Sequence, residues 1–157
     1  MCAVNFYRRA HMSVLASLKF SNIKKPTHLA PILIRRNKLI KKLVEQIELA
    51  TALSEGRTYT PTRLRYYKDA ETGVTRSIEA PKRVKTWWWT SDTGRICVNL
   101  RYGSKHLSFG KGKSCVEVET GEQLITTLNL LKKAVEAGEL DTEIEAASGA
   151  LKANFSS

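Results

Sequence analysis

The stretch RICVNLRY, residues 95–102, alternates without a break. Ile96, Val98, Leu100 and Tyr102 fall on one side of an extended chain, and Arg95, Cys97, Asn99 and Arg101 fall on the other. A period of two with branched and aromatic residues reads as a β-strand with a core face and a wet face. Downstream, Gly103-Ser104 reads as a tight turn into a second strand, Lys105 to Phe109, and the basic loop Gly110-Lys111-Gly112-Lys113 leads to a third, Cys115 to Val118. Upstream, Ser91-Asp92-Thr93-Gly94 and Asp69-Ala70-Glu71-Thr72-Gly73 separate three more: Thr58 to Lys68, Val74 to Glu79 and Arg83 to Thr90.

Helical periodicity brackets this region. Pro31 is placed to open a helix that runs to about Leu53 and stops before Glu55-Gly56. Leu33, Leu39, Ile40, Leu43, Val44, Ile47, Ala50 and Thr51 form its apolar stripe, Arg35, Lys38, Lys41 and Lys42 its basic back, and Arg36 interrupts the stripe. After the strands, Thr120 and Gln123 match a capping box for a helix ending at Gly138, and Asp141 is placed to cap a final helix, Thr142 to Leu151. The expected fold is α+β: a long N-terminal amphipathic helix, an antiparallel meander of five to six strands, and C-terminal helices. Residues 1–11 read as a disordered extension, 12–151 as one domain and 152–157 as a frayed tail.

The 157 residues suffice for one core without disulfides or metal. Three widely spaced cysteines, Cys2, Cys97 and Cys115, point to reduced thiols in a cytoplasmic compartment. No apolar run approaches the roughly 20 residues that span a bilayer, and the start lacks a signal-type apolar core, so no membrane partner is expected. Residues 1–118 carry 23 Lys/Arg against 8 Asp/Glu, whereas residues 119–157 carry 3 against 7. An excess of this size draws polyanions to the surface.

Strand alternation sharpens that expectation. With Leu64, Tyr66, Val84 and Trp88 turned inward, one sheet face carries Arg63, Arg65, Tyr67, Arg83, Lys85, Trp87, Trp89, Arg95 and Arg101, with Lys111 and Lys113 on the adjoining loop. Cations interleaved with flat rings suit single-stranded nucleic acid: the cations neutralise phosphates, and each stacked base adds about 1–3 kcal/mol.

Motifs for chemistry fail. Gly112-Lys113-Ser114 lacks the glycine that a phosphate-binding loop needs at position 107, which is leucine. His11, His28 and His106 are scattered, and Glu45, Glu48 and Glu55 read as surface partners of nearby lysines. No catalytic residue, metal ligand or cofactor is assigned, and an enzyme is not expected. The expected partners are single-stranded nucleic acid and, through the long apolar stripe of the first helix, a second copy of the chain. The alternative is a regulator that docks on a host protein.

The stretches from Met12-Ser13-Val14, Lys24-Lys25-Pro26-Thr27, Arg35 to Ile40, Pro81 to Lys85 with Trp87-Trp88-Trp89, Arg101-Tyr102-Gly103 and Ala137 to Asp141 resemble a family of short basic proteins from proteobacteria and their phages, a domain of unknown function. The resemblance implies a bacterial or phage setting, without an activity, and places residues 1–11 outside the fold. The expected order of a curved antiparallel sheet followed by a helix is similar to the single-stranded-DNA-binding fold of the Whirly and positive-cofactor-four type. That likeness implies a dimer presenting basic, aromatic sheet surfaces.

Overall fold

Pro31 sits at the first position of the first helix, where its missing N–H costs nothing, and the helix runs as α1, Pro31–Ser54, in a computed structural model that describes residues 14–156. The disordered extension expected for residues 1–11 lies outside the described residues. Before α1 come a single 3-10 turn, Val14–Ser17, and an irregular stretch whose apolar side chains stay exposed. Leu39, Leu43, Leu49 and Ala50 are buried, as is Gln46, which lies on the same stripe.

Seven strands follow: β1 (Thr62–Lys68), β2 (Thr75–Pro81), β3 (Trp88–Thr90), β4 (Ile96–Val98), β5 (Arg101–Tyr102), β6 (Lys105–His106) and β7 (Val116–Val118). Two helices close the chain, α2 (Gly121–Ala137) and α3 (Asp141–Phe155). The α+β class holds, but the single meander of five to six strands does not. The strands divide into a β1-β2 ribbon, a three-stranded β3-β4-β7 sheet and a β5-β6 hairpin, all antiparallel, so the curved continuous sheet expected from the sequence is absent.

The expected strand 95–102 breaks because its two halves change partners. Ile96–Val98 pairs with Trp88–Thr90 on one side and Val116–Val118 on the other. The Asn99 N–H then donates to the Trp87 carbonyl at 2.8 Å, and Arg101–Tyr102 turns back through Gly103 (φ 62°) onto Lys105–His106. Val98, Leu100 and Tyr102 are buried as the alternation predicts. Cys97, expected on the wet face, is buried too: it lies between Trp89 and Glu117 in the cross-strand register.

The ribbon is the larger correction. Every residue of β1 is exposed, including Leu64 and Tyr66, which were expected to point into a core. Among the described residues it pairs only with β2, through a turn in which Asp69 Oδ1 accepts the Glu71 N–H at 2.9 Å and Gly73 takes φ 69°. At its base the Lys82 N–H donates to the Pro61 carbonyl at 2.7 Å, so both ends of the ribbon leave the body at one point.

Thr120 caps α2 by accepting the Gln123 N–H at 3.2 Å, and the Gln123 side chain in return accepts the Glu119 N–H at 2.9 Å. Gly138 ends the helix in the left-handed conformation (φ 85°). Asp141 does not cap α3: it is the first residue of that helix, and its carboxylate takes both forks of the Arg36 guanidinium, with Nε to Oδ1 at 2.7 Å. This explains Arg36 in the apolar stripe, because the pair ties the start of α1 to the start of α3. α3 also continues four residues past the expected Leu151, to Phe155. The core gathers Leu39 and Leu43 of α1, Val98, Leu100 and Leu107 of the strand region, Leu128 and Val135 of α2, and Ile144 of α3.

Candidate nucleic-acid interface

Between α1, the chain from Lys82 to Trp87 and the β5 hairpin lies a cleft of about 340 Å³. Three segments build it. The basic back of α1 supplies Lys38 and Lys42, spaced one helical turn apart, the chain leaving the ribbon supplies Lys82, Arg83, Lys85 and Trp87, and β5 supplies Arg101 and Tyr102. Among the described residues, six cations thus line one cleft against a single carboxylate, Glu45.

Gln46 fixes the wall. Its Nε2 donates to the Lys85 carbonyl at 2.9 Å and its Oε1 accepts the Trp87 N–H at 3.0 Å, so a non-strand segment is held to the helix by two bonds from one buried side chain. The segment therefore keeps the reach of Lys85 and Trp87 defined without sheet pairing.

Glu45 organises two of the cations. Lys82 Nζ donates to its Oε1 and Lys42 Nζ to its Oε2 at 3.3 Å. Burial alone would raise the Glu45 carboxyl, but the bonds from Lys82 and Lys42 outweigh it and hold the group below its ordinary range. The Lys82 ammonium is held above its ordinary range, chiefly by the same bond, with Arg63 opposing through space. That coupling places Arg63, at the foot of the ribbon, within electrostatic reach of the cleft.

Lys38, Arg83, Lys85 and Arg101 have no carboxylate partner among the described residues. Lys38 Nζ stands 5.5 Å from the centre of the Tyr102 ring. Arg101 Nε is buried and finds no acceptor among the described residues, and its Nη2 reaches only the Ser104 carbonyl, at 3.5 Å. An orphaned buried donor costs about 1–3 kcal/mol, which an anion placed beside it would offset.

The residues expected on one sheet face are distributed over several surfaces. Arg83, Lys85, Trp87 and Arg101 line the cleft. Arg63, Arg65 and Tyr67 share one face of the ribbon, joined across the register by Arg76, Ile78 and Ala80. Trp89 is exposed and lies on the face of the three-stranded sheet away from Trp88. Arg95 lies beside that sheet and is engaged by Glu117 at 3.6 Å and Glu119 at 3.9 Å. Lys111 and Lys113 sit in a tight turn in which the Phe109 N–H donates to the Lys113 carbonyl at 2.7 Å, and neither lines the cleft. Trp87 is the main correction: it precedes β3 and packs partly against the core, so it is not an outward partner of Trp89.

Sequence reasoning missed Lys38, Lys42, Lys82 and Tyr102 as neighbours of this group. The signal was the basic back of α1, which was visible, but not which strand segment would cross it. Among the described residues no group of three or more His, Cys, Asp or Glu is placed to hold a metal, and no helix is long and apolar enough to cross a membrane.

A family model described as a family of unknown function, DUF6641, matches residues 8–144. No curated protein and no solved structure matches the chain. The family match spans every strand, the first two helices and every residue of the cleft, so the chain belongs to the DUF6641 family.

Proposed function

We propose that the protein binds single-stranded nucleic acid with little sequence preference, without catalysing a reaction. The observation that carries this reading is the convergence of Lys38, Arg83, Lys85 and Arg101, unpaired with carboxylates among the described residues, around a cleft that also exposes part of Trp87. The cations supply phosphate neutralisation and the indole supplies a surface for a base. The exposed Arg63, Arg65, Tyr67 and Arg76 face extends the same chemistry along the ribbon. A gel shift with short single-stranded oligonucleotides, repeated as salt is raised, tests the reading; absence of a shift at low salt removes it. The resemblance noted from sequence favours work in the cytoplasm of a bacterium or a phage-infected host, in replication, recombination or transcription.

A second reading, docking on a protein, is favoured by the exposed apolar side chains ahead of α1: Val14, Phe20 and Ile23 are 81%, 72% and 86% exposed. A second copy of the chain is one candidate for that surface. The stripe of α1 is largely covered within the protomer, but Leu33 at its start remains exposed.

A further inference from the structure

The cleft differs from the ribbon in shape and in charge density, and the difference bears on what it holds. This cleft is walled by α1, by the clamped chain from Lys82 to Trp87 and by the β5 hairpin, and its volume of about 340 Å³ lies at the lower end for small-molecule sites, which run to about 1,000 Å³. Four cations without carboxylate partners among the described residues, Lys38, Arg83, Lys85 and Arg101, converge there. A phosphodiester within a strand carries one negative charge, whereas a phosphate monoester carries about −1.5 to −2 near neutral pH and offers three acceptor oxygens. Arg101, whose buried Nε has no acceptor among the described residues, lines the cleft, and Trp87 lines it too, where its indole can meet a base.

From this geometry we infer that the cleft holds one nucleotide by its phosphate monoester, supplied either as a free mononucleotide or as the phosphorylated end of a strand. This deepens the nucleic-acid reading and, for the strand-end source, rests on it. The ribbon face then contacts phosphodiesters beyond the first nucleotide, while the cleft selects the monoester.

The experiment titrates the full chain with deoxyadenosine 5′-monophosphate, deoxyadenosine and inorganic phosphate, read by tryptophan fluorescence. It then compares one oligonucleotide with a 5′-phosphate, with a 5′-hydroxyl, and as a covalent circle. The monophosphate is expected to bind at least 10-fold more tightly than the nucleoside and to compete with bound oligonucleotide. Arg101→Ala and Lys85→Ala are each expected to weaken it by 10-fold or more. Lys85→Ala guards against misfolding, because its side chain is exposed and its carbonyl bond to Gln46 is retained.

A 10-fold preference for the phosphorylated end over the hydroxyl end and the circle identifies strand ends as the source. Equal binding of the three with competition by the monophosphate identifies the free nucleotide. Monophosphate binding with no oligonucleotide binding keeps this inference and removes the strand-binding function. If the monophosphate binds no better than the nucleoside, or fails to compete while all three oligonucleotides bind alike, the inference is overturned and strand binding stands without it. If neither monophosphate nor oligonucleotide binds, both fall.

Discussion

Gln46, in the second half of α1, holds Trp87 by its backbone: the side-chain Oε1 accepts the Trp87 N–H at 3.0 Å across 41 residues of sequence. The same amide donates to the Lys85 carbonyl. Gln46→Leu keeps the volume and removes both bonds, leaving two backbone groups without partners. A loss of about 2–4 kcal/mol of folding stability is expected by denaturant titration. The surviving folded protein should bind nucleotide more weakly, because its cleft wall is no longer held. Unchanged stability would show that the two bonds are replaced by water.

The three tryptophans separate by location. Trp88 packs against the core and pairs with Val98, so Trp88→Ala is expected to cost about 3–5 kcal/mol of stability. Trp89 is exposed, and Trp89→Ala should leave the thermal midpoint nearly unchanged. Trp87→Ala is expected to do two things: lower stability, through its partial packing, and weaken single-strand binding by about 1–3 kcal/mol. Binding unaffected by Trp87→Ala would remove stacking in the cleft.

The ribbon makes its own test. Its ends meet at the Pro61–Lys82 bond and its side chains are almost all exposed. Replacing residues 63–80 with a two-glycine turn should leave the thermal midpoint within a few degrees while weakening binding of long oligonucleotides. Arg65→Ala should reproduce part of that loss with no stability change. A large drop in midpoint on deletion would show that the ribbon supports the body.

Binding should fall with salt, because neutralised phosphates release counterions. Four to six contacts give a slope of log affinity against log salt on the order of −3 to −4. Double-stranded DNA, whose bases are not free to stack, should bind more weakly. A slope near zero would exclude the cations of the cleft and ribbon as the source of affinity.

The Arg36–Asp141 pair predicts an acid effect. Hydrogen bonding from Arg36 chiefly lowers the Asp141 carboxyl, against a smaller opposing effect of burial. A carboxyl lowered in the folded state stabilises the fold fully above the ordinary aspartate range of about 3.9, and that contribution is lost as pH falls through the lowered value. Asp141→Asn should therefore lower the thermal midpoint at pH 7 and lose its difference from the parent in strong acid. A difference that persists unchanged at low pH would assign the effect to packing. Gly138→Ala should also destabilise the fold, because its φ of 85° is strained for alanine and the new Cβ would come within 2.5 Å of Arg36 Nη2.

Local signals in the sequence read well where one segment decides its own conformation. Pro31, the Thr120–Gln123 cap, Gly138 and the Asp69–Gly73 turn all act within a few residues, and the elements they bound were legible. Alternation also placed Arg63, Arg65 and Tyr67 on one face and turned Trp88 away from Trp89. What alternation could not supply was the partner of each strand. Residues 95–102 keep a period of two while changing neighbours at Asn99, and the Lys82–Trp87 chain leaves sheet pairing because a glutamine of α1 satisfies its backbone. Gln46 carried no sequence signal beyond a polar residue within an apolar stripe. Lys38 and Lys42 were visible as a basic helix back, and only the tertiary crossing gives them Arg101 for a neighbour.

The bond between Arg36 and Asp141 joins residues 105 positions apart. A chain made from its N-terminus forms the first long helix well before the helices that cover Leu39 and Leu43 leave the ribosome. At about 5–20 residues per second, that delay is roughly 5–20 s, during which the apolar stripe faces water or whatever chaperone is nearby. The nascent chain is thus most prone to aggregation after the first helix emerges and before the last one docks. Slowed translation between the two would be expected to lower the yield of folded protein without altering its final stability.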